Sequence, residues 1–173
     1  MKEKDKRTGW VKTVSGPHGE IHEGKFYSVH YNVADLGAMT TPDDAIQLTW
    51  TTPVGPARMN LTIHAQCGAA ALYKFTEAWT GAGITATGTI VGYNRNRAFP
   101  NSSITFSYDA TLVTGGTVLQ QEYITTGKFD AGESRDSQEW ILKPNTPYAV
   151  SLFLGAAEIA TLSLDWYMKT DRH

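Results

Sequence analysis

The residues best suited to hold a metal are His18, His22, Glu23 and His30, three imidazoles and a carboxylate of the kind that bind zinc. Their spacing argues against a shared ion. On a strand His22 and Glu23 point to opposite faces, and the turn signals at Gly16-Pro17 and Gly19 separate His18 from both. An exposed histidine cluster on an edge strand or loop is the simpler reading. Cys67 lies in the apolar stretch 63–71, where a lone thiol is a small buried hydrophobe, and no His or Arg stands at a spacing that would activate it. No Ser occupies a G-x-S-x-G elbow. Asp43-Asp44 follows Pro42 on a turn, as solvent-facing acids do, and Gly81-Ala82-Gly83 lacks the Lys-Ser/Thr sequel of a phosphate loop. The expectation is a protein that is not an enzyme and takes no metal or cofactor.

Binding chemistry is better represented. Asn94-Arg95-Asn96-Arg97 follows a Thr/Ile-rich strand and closes at Pro100. Two guanidiniums and two amides on one loop offer donors in fixed geometry, suited to the carboxylates or carbonyls of a partner. The same groups would equally serve as an internal clamp tied to the chain's own acids, such as Glu139. Both readings stay open. A second segment, Glu139-Trp140-Ile141-Leu142-Lys143-Pro144-Asn145-Thr146-Pro147-Tyr148, reads as a hairpin with a stiff corner. Its Trp140 and Tyr148 are expected to fill core rather than bind. A third set of candidate contacts is the basic cluster Lys2, Lys4, Lys6 and Arg7, diluted by Glu3 and Asp5. It reads as a solvated, flexible arm, or as one that orders on a neighbouring subunit.

Alternating hydrophobicity names the elements that must carry these groups. Met59, Leu61, Ile63 and Ala65 alternate with Asn60, Thr62 and His64; Ile104, Phe106 and Tyr108 alternate with Ser103, Thr105 and Ser107. Ile46, Leu48 and Trp50 do the same, as do Tyr148, Val150, Leu152 and Leu154. Strands are expected over 25–31, 45–51, 58–65, 84–91, 103–109, 118–125, 138–142, 148–154 and 159–167. Segment 67–79 has the alanine content of a helix, but Tyr73, Phe75 and flanking glycines assign it to a strand. Turn signals separate the runs at 41–44, 53–56, 114–116, 130–132 and 143–147. Many short strands without a long helical period predict an all-β protein, a single β-sandwich or jelly-roll-like domain over 10–173 preceded by the arm 1–9.

Composition narrows the class further. The chain has 173 residues, enough to bury about 70% of the surface that its unfolded form exposes. Charged residues make up only 18%, and the net charge is −2, so the exterior must be rich in Thr, Ser, Asn, Gly and Ala. Nucleic acid would require clustered Lys and Arg. No apolar run approaches the roughly 18 residues of a membrane span, and no apolar stretch follows the charged N-terminus as in a secretory signal.

The early His22-Glu23-Gly24-Lys25-Phe26, the Asn94-Arg95-Asn96-Arg97 loop, the corner 139–148 and the closing Leu164-Asp165-Trp166-Tyr167 resemble, in that order, a family of virion proteins that decorate or cement the heads of tailed bacteriophages. The resemblance spans about residue 20 to the end, and departs from the family where Met168 stands in place of an acid. It implies a jelly-roll or related sandwich, assembly as a homotrimer, the major capsid protein as partner, a place on the capsid exterior after synthesis in the host cytoplasm, and no catalysis. A carbohydrate-binding β-sandwich of a tail fibre or bacterial enzyme is the alternative, with five Trp and eight Tyr as possible sugar platforms. A small metalloenzyme on a cupin-like barrel is a third, although the histidine pattern does not match.

Overall fold

A computed structural model describes residues 2–4, 11–13, 16–33, 45–68, 70–80, 87–108, 113–124, 139–154 and 159–170. In chain order the elements are β1 (Lys2–Lys4), β2 (Val11–Thr13), α1 (Gly16–His22), β3 (Phe26–Val33), β4 (Ala45–Thr51), β5 (Ala57–Cys67), β6 (Ala71–Glu77), β7 (Gly88–Val91), β8 (Tyr93–Asn94), β9 (Thr105–Tyr108), β10 (Thr117–Ile124), β11 (Trp140–Ile141), β12 (Pro147–Leu154) and β13 (Ala160–Thr170). Segment 71–77 is a strand despite its alanines. Its side chains alternate between the core and the outer face, which a helix would not permit. The turn signals at 41–44 and 130–132, Asp43-Asp44, and Gly81-Ala82-Gly83 lie outside the described residues.

Two antiparallel sheets pack face to face. One has the order β10-β6-β12-β4-β9-β7, the other β11-β5-β13-β3-β8. The pairings nest: β3 lies against β13, β4 against β12, β5 against β11 and β6 against β10. A long hairpin rolled so that its paired strands alternate between two sheets has this connectivity, which defines the jelly roll. Strands β7, β8 and β9 interrupt the β6–β10 connection. β9 and β7 extend the first sheet beyond β4, and β8 extends the second beyond β3.

The core comes from one face of each strand. On β13 Ala160, Leu162, Leu164 and Trp166 point inward, with Trp166 opposite Leu61 of β5 and Leu164 opposite Val29 of β3. From the other sheet Ile46, Leu48, Trp50, Phe75, Phe106, Tyr148, Val150 and Leu152 meet them. Trp50 is central: its ring lies 5.4 Å from Phe106, 5.9 Å from Tyr148 and 6.3 Å from Phe75, centroid to centroid. Tyr148 is fully buried and Trp140 sets its edge against Phe75, so both serve the core as expected. Cys67 is buried, and burial pushes its thiol pKa up, which suits a packing role.

Two local features differ from the sequence reading. Gly16–His22 is a helix and not a turn. Pro17 in its first turn supplies a preset φ where no N–H is needed, and Gly24, at φ 69°, closes it with its N–H donated to Ile21 O. The second difference is at β4, where polar alternation suggested an exposed outer face. Gln47 and Thr49 are buried there, with Gln47 Oε1 accepting from Ser151 Oγ at 2.9 Å and from the Val113 N–H at 3.3 Å. The connection leading into β10 thus reaches over the sheet.

The corner between β11 and β12 is fixed as a unit. Asn145 adopts φ 48° and donates its N–H to Pro53 O, while Thr52 Oγ1 donates to Lys143 O and accepts from Thr146 N–H at 3.0 Å. Beneath it, Tyr148 Oη donates to Glu77 Oε2 at 2.8 Å and accepts from Lys143 N–H, and Lys143 Nζ sits 2.6 Å from Glu77 Oε1. Lys2–Lys4 and Val11–Thr13 pair with each other as a separate two-stranded ribbon, and the expected arm boundary at Gly9 lies outside the described residues.

Candidate docking loop

The loop after β7 is positioned by glycine and by an amide. A Cβ at Gly92 would collide with the Trp166 ring, so only glycine lets the chain cross this end of the core. Gly92 O then accepts from Ser102 N–H at 2.9 Å, closing the base of the loop. Beyond it β8 pairs with β3, Tyr93 opposite Ser28 and Asn94 opposite Tyr27. Since Tyr27 packs against the core, this register turns Asn94 inward and Tyr93 outward.

Asn94 has no exposed surface. Its Nδ2 donates to Gly24 O at 2.7 Å and Pro100 O at 3.0 Å, and its Oδ1 accepts from Asn96 N–H at 2.9 Å. Asn96 continues the pattern: its Oδ1 accepts from Ala98 N–H, and its Nδ2 donates to His22 O at 3.4 Å. Asn101 Oδ1 accepts from both Asn94 N–H and Arg97 Nη1. Both asparagines are therefore clamp residues. For Asn94 this is a correction, because a fully buried amide cannot touch a partner.

The arginines divide differently. Arg95 lies with its guanidinium 5.2 Å from the Phe26 ring and 3.9 Å from Asp165 Oδ2. The acid that anchors the loop is thus Asp165 and not Glu139, whose side chain bonds Tyr167 and, after burial, helps to push that phenol's pKa up. Asp165 also accepts from Ser28 Oγ and lies 3.9 Å from His64 Nε2. Arg97 rests 5.7 Å from the Tyr93 ring and remains exposed.

The loop presents more than the four residues read from the sequence. Tyr93 is 56% exposed, Phe99 44% and Val91 40%. Phe99 is held by a turn, its N–H donated to Asn96 O, and its ring lies over Gly24, where any Cβ would intrude. Tyr93 and Phe99 bracket the Asn/Arg run between Gly92 and Pro100, a signal visible in the sequence once the loop is known to be stiff. Of the basic arm residues, Lys4 lies on β1, while Lys6 and Arg7 lie outside the described residues.

The described side chains of the histidine cluster lie apart. His22 ends α1, Glu23 pairs with Lys25 at 2.6 Å, and His30 lies on the outer face of β3 with Nδ1 2.9 Å from Ser163 Oγ. Among the described residues no three of His, Cys, Asp or Glu form a group able to hold a metal ion. No protein-family model, curated protein or solved structure matches the chain.

Proposed function

We propose that the chain is a virion structural protein that binds the outer surface of a tailed-phage capsid and stabilises the shell. The observation that carries this reading is loop 92–101, a hydrogen-bonded unit that exposes Tyr93, Phe99 and Arg97 together. Aromatic residues and arginine dominate the energetics of protein interfaces, because they offer large contact area and well-defined donors. A loop already locked by Asn94 and Asn96 loses little freedom on docking, which lowers the entropic cost of association. The resemblance to head-decorating proteins supplies the identity of the partner, the major capsid protein. Assembly as a trimer would let modest single contacts add through effective concentration, raising avidity by about 10²–10⁴.

Co-sedimentation with undecorated heads tests the reading. Wild-type protein should saturate the shell. Tyr93→Ala and Phe99→Ala together should weaken binding by roughly tenfold or more, the scale of lost interface anchors. Removing 1–7 should weaken it further if the basic arm lies along a neighbouring subunit. Failure of the wild-type protein to sediment with heads, or full occupancy by the loop variant, would refute the reading.

A further inference from the structure

The six-stranded sheet carries a separate site. β4 and β9 pair at Leu48–Tyr108 and Thr49–Ser107, and the ladder ends there. Along their unpaired ends an open groove of about 540 Å³ is lined by Thr49, Thr51, Ser103, Thr105, Ser107 and Trp79, among others. Its size falls within the roughly 300–1,000 Å³ of small-molecule sites.

The chemistry of this lining is narrow. Five hydroxyl side chains and two indoles, Trp50 and Trp79, share the lining with Pro53 and Ile104, and no lining residue is charged. Trp79 follows Ala78, which adopts φ 54°, a left-handed conformation uncommon for a residue with a Cβ. Backbone bonds fix this kink on both sides, Ala78 N–H to Pro147 O at 2.8 Å and Thr80 N–H to Thr114 O at 3.1 Å. Trp79 Nε1 is covered and has no acceptor in the protein, so packing rather than a hydrogen bond holds its ring in the groove wall.

We infer that this groove binds a neutral saccharide. A sugar ring offers hydroxyls at its rim, which match donors and acceptors of Thr and Ser, and a face of C–H bonds, which suits the electron-rich face of an indole. An anionic or cationic ligand would find no countercharge among the lining residues. The lining includes none of Tyr93, Arg97 and Phe99, although Ser103 and Thr105 follow loop 92–101 closely in the chain. The inference therefore goes beyond shell docking and does not depend on it.

The full chain should be applied to an array of neutral and acidic glycans, with hits titrated by calorimetry. The expected result is saturable binding confined to neutral saccharides. Trp79→Ala should weaken it about tenfold or more. Because Trp79 also packs, Thr105→Arg provides the second variant: position 105 is exposed, so the long side chain fills the groove without entering the core. It should abolish saccharide binding while leaving the unfolding midpoint unchanged. Absence of saturable binding to any neutral glycan, undiminished binding by Thr105→Arg, or preference for an extended peptide over every saccharide would overturn the inference.

Discussion

At position 94 an amide meets needs that no other side chain of its size can. It donates from Nδ2 to two carbonyls and accepts at Oδ1 from the backbone of Asn96, all without exposed surface. Asn94→Ala would leave Gly24 O and Pro100 O short of donors and should cost about 1–3 kcal/mol, measurable as a lower urea midpoint. Glu77 makes a second prediction at this scale. Its side chain is 12% exposed, and burial alone would raise its pKa. Hydrogen bonds from Lys143 and Tyr148, with the charge of Lys143, outweigh burial and hold the carboxyl below its ordinary value. A depressed folded pKa means stability that is complete above the unfolded value, near pH 4.3, and lost as pH falls below it. Glu77→Gln should therefore be less stable at neutral pH by about 1–2 kcal/mol, yet show a flatter decline between about pH 5 and pH 3. Denaturation midpoints for both proteins across that range check the sign.

At the scale of elements, the β7–β8–β9 insertion shows how one glycine sets a register. Gly92 lies against Trp166, and the two-residue strand that follows decides which of Tyr93 and Asn94 faces the core. Gly92→Ala should destabilise the fold by about 1–3 kcal/mol through overpacking, seen as a lower thermal midpoint with altered tryptophan fluorescence. Most strands were legible in advance, because alternation over several residues reports a half-buried sheet directly. β8 was not, since two residues carry no period. Helix α1 was read as a turn for a related reason: Pro17 and Gly24 punctuate a short helix with the same residue types that punctuate turns. The loop was singled out as a group, but the division of labour within it was hidden. Asn94 and Asn96 became clamps and Arg97 stayed exposed only because β3 offered a pairing edge and Gly24 O a nearby acceptor.

For the whole molecule, the nested pairing of β3 with β13, β4 with β12, β5 with β11 and β6 with β10 places each strand beside one distant in sequence. The chain thereby keeps its two sheets in fixed relation, and loop 92–101 and the groove between β4 and β9 inherit that rigidity. The docking reading and the saccharide reading are tested by different substitutions, at Tyr93 and Phe99 in the loop and at Trp79 in the groove.

Composition and periodicity determined by themselves that the chain is all-β, which faces of its strands are apolar, and that Trp50 and Tyr148 belong to positions that favour burial. These are local properties, written in side-chain type and a spacing of two residues. Tertiary structure decided the rest: that Gln47 and Thr49 are covered on an outer face, that Asp165 rather than Glu139 anchors Arg95, and that Trp79 meets the hydroxyls of two other strands. Each depends on groups far apart in the chain meeting across a sheet, and no local spacing encodes which strands become neighbours.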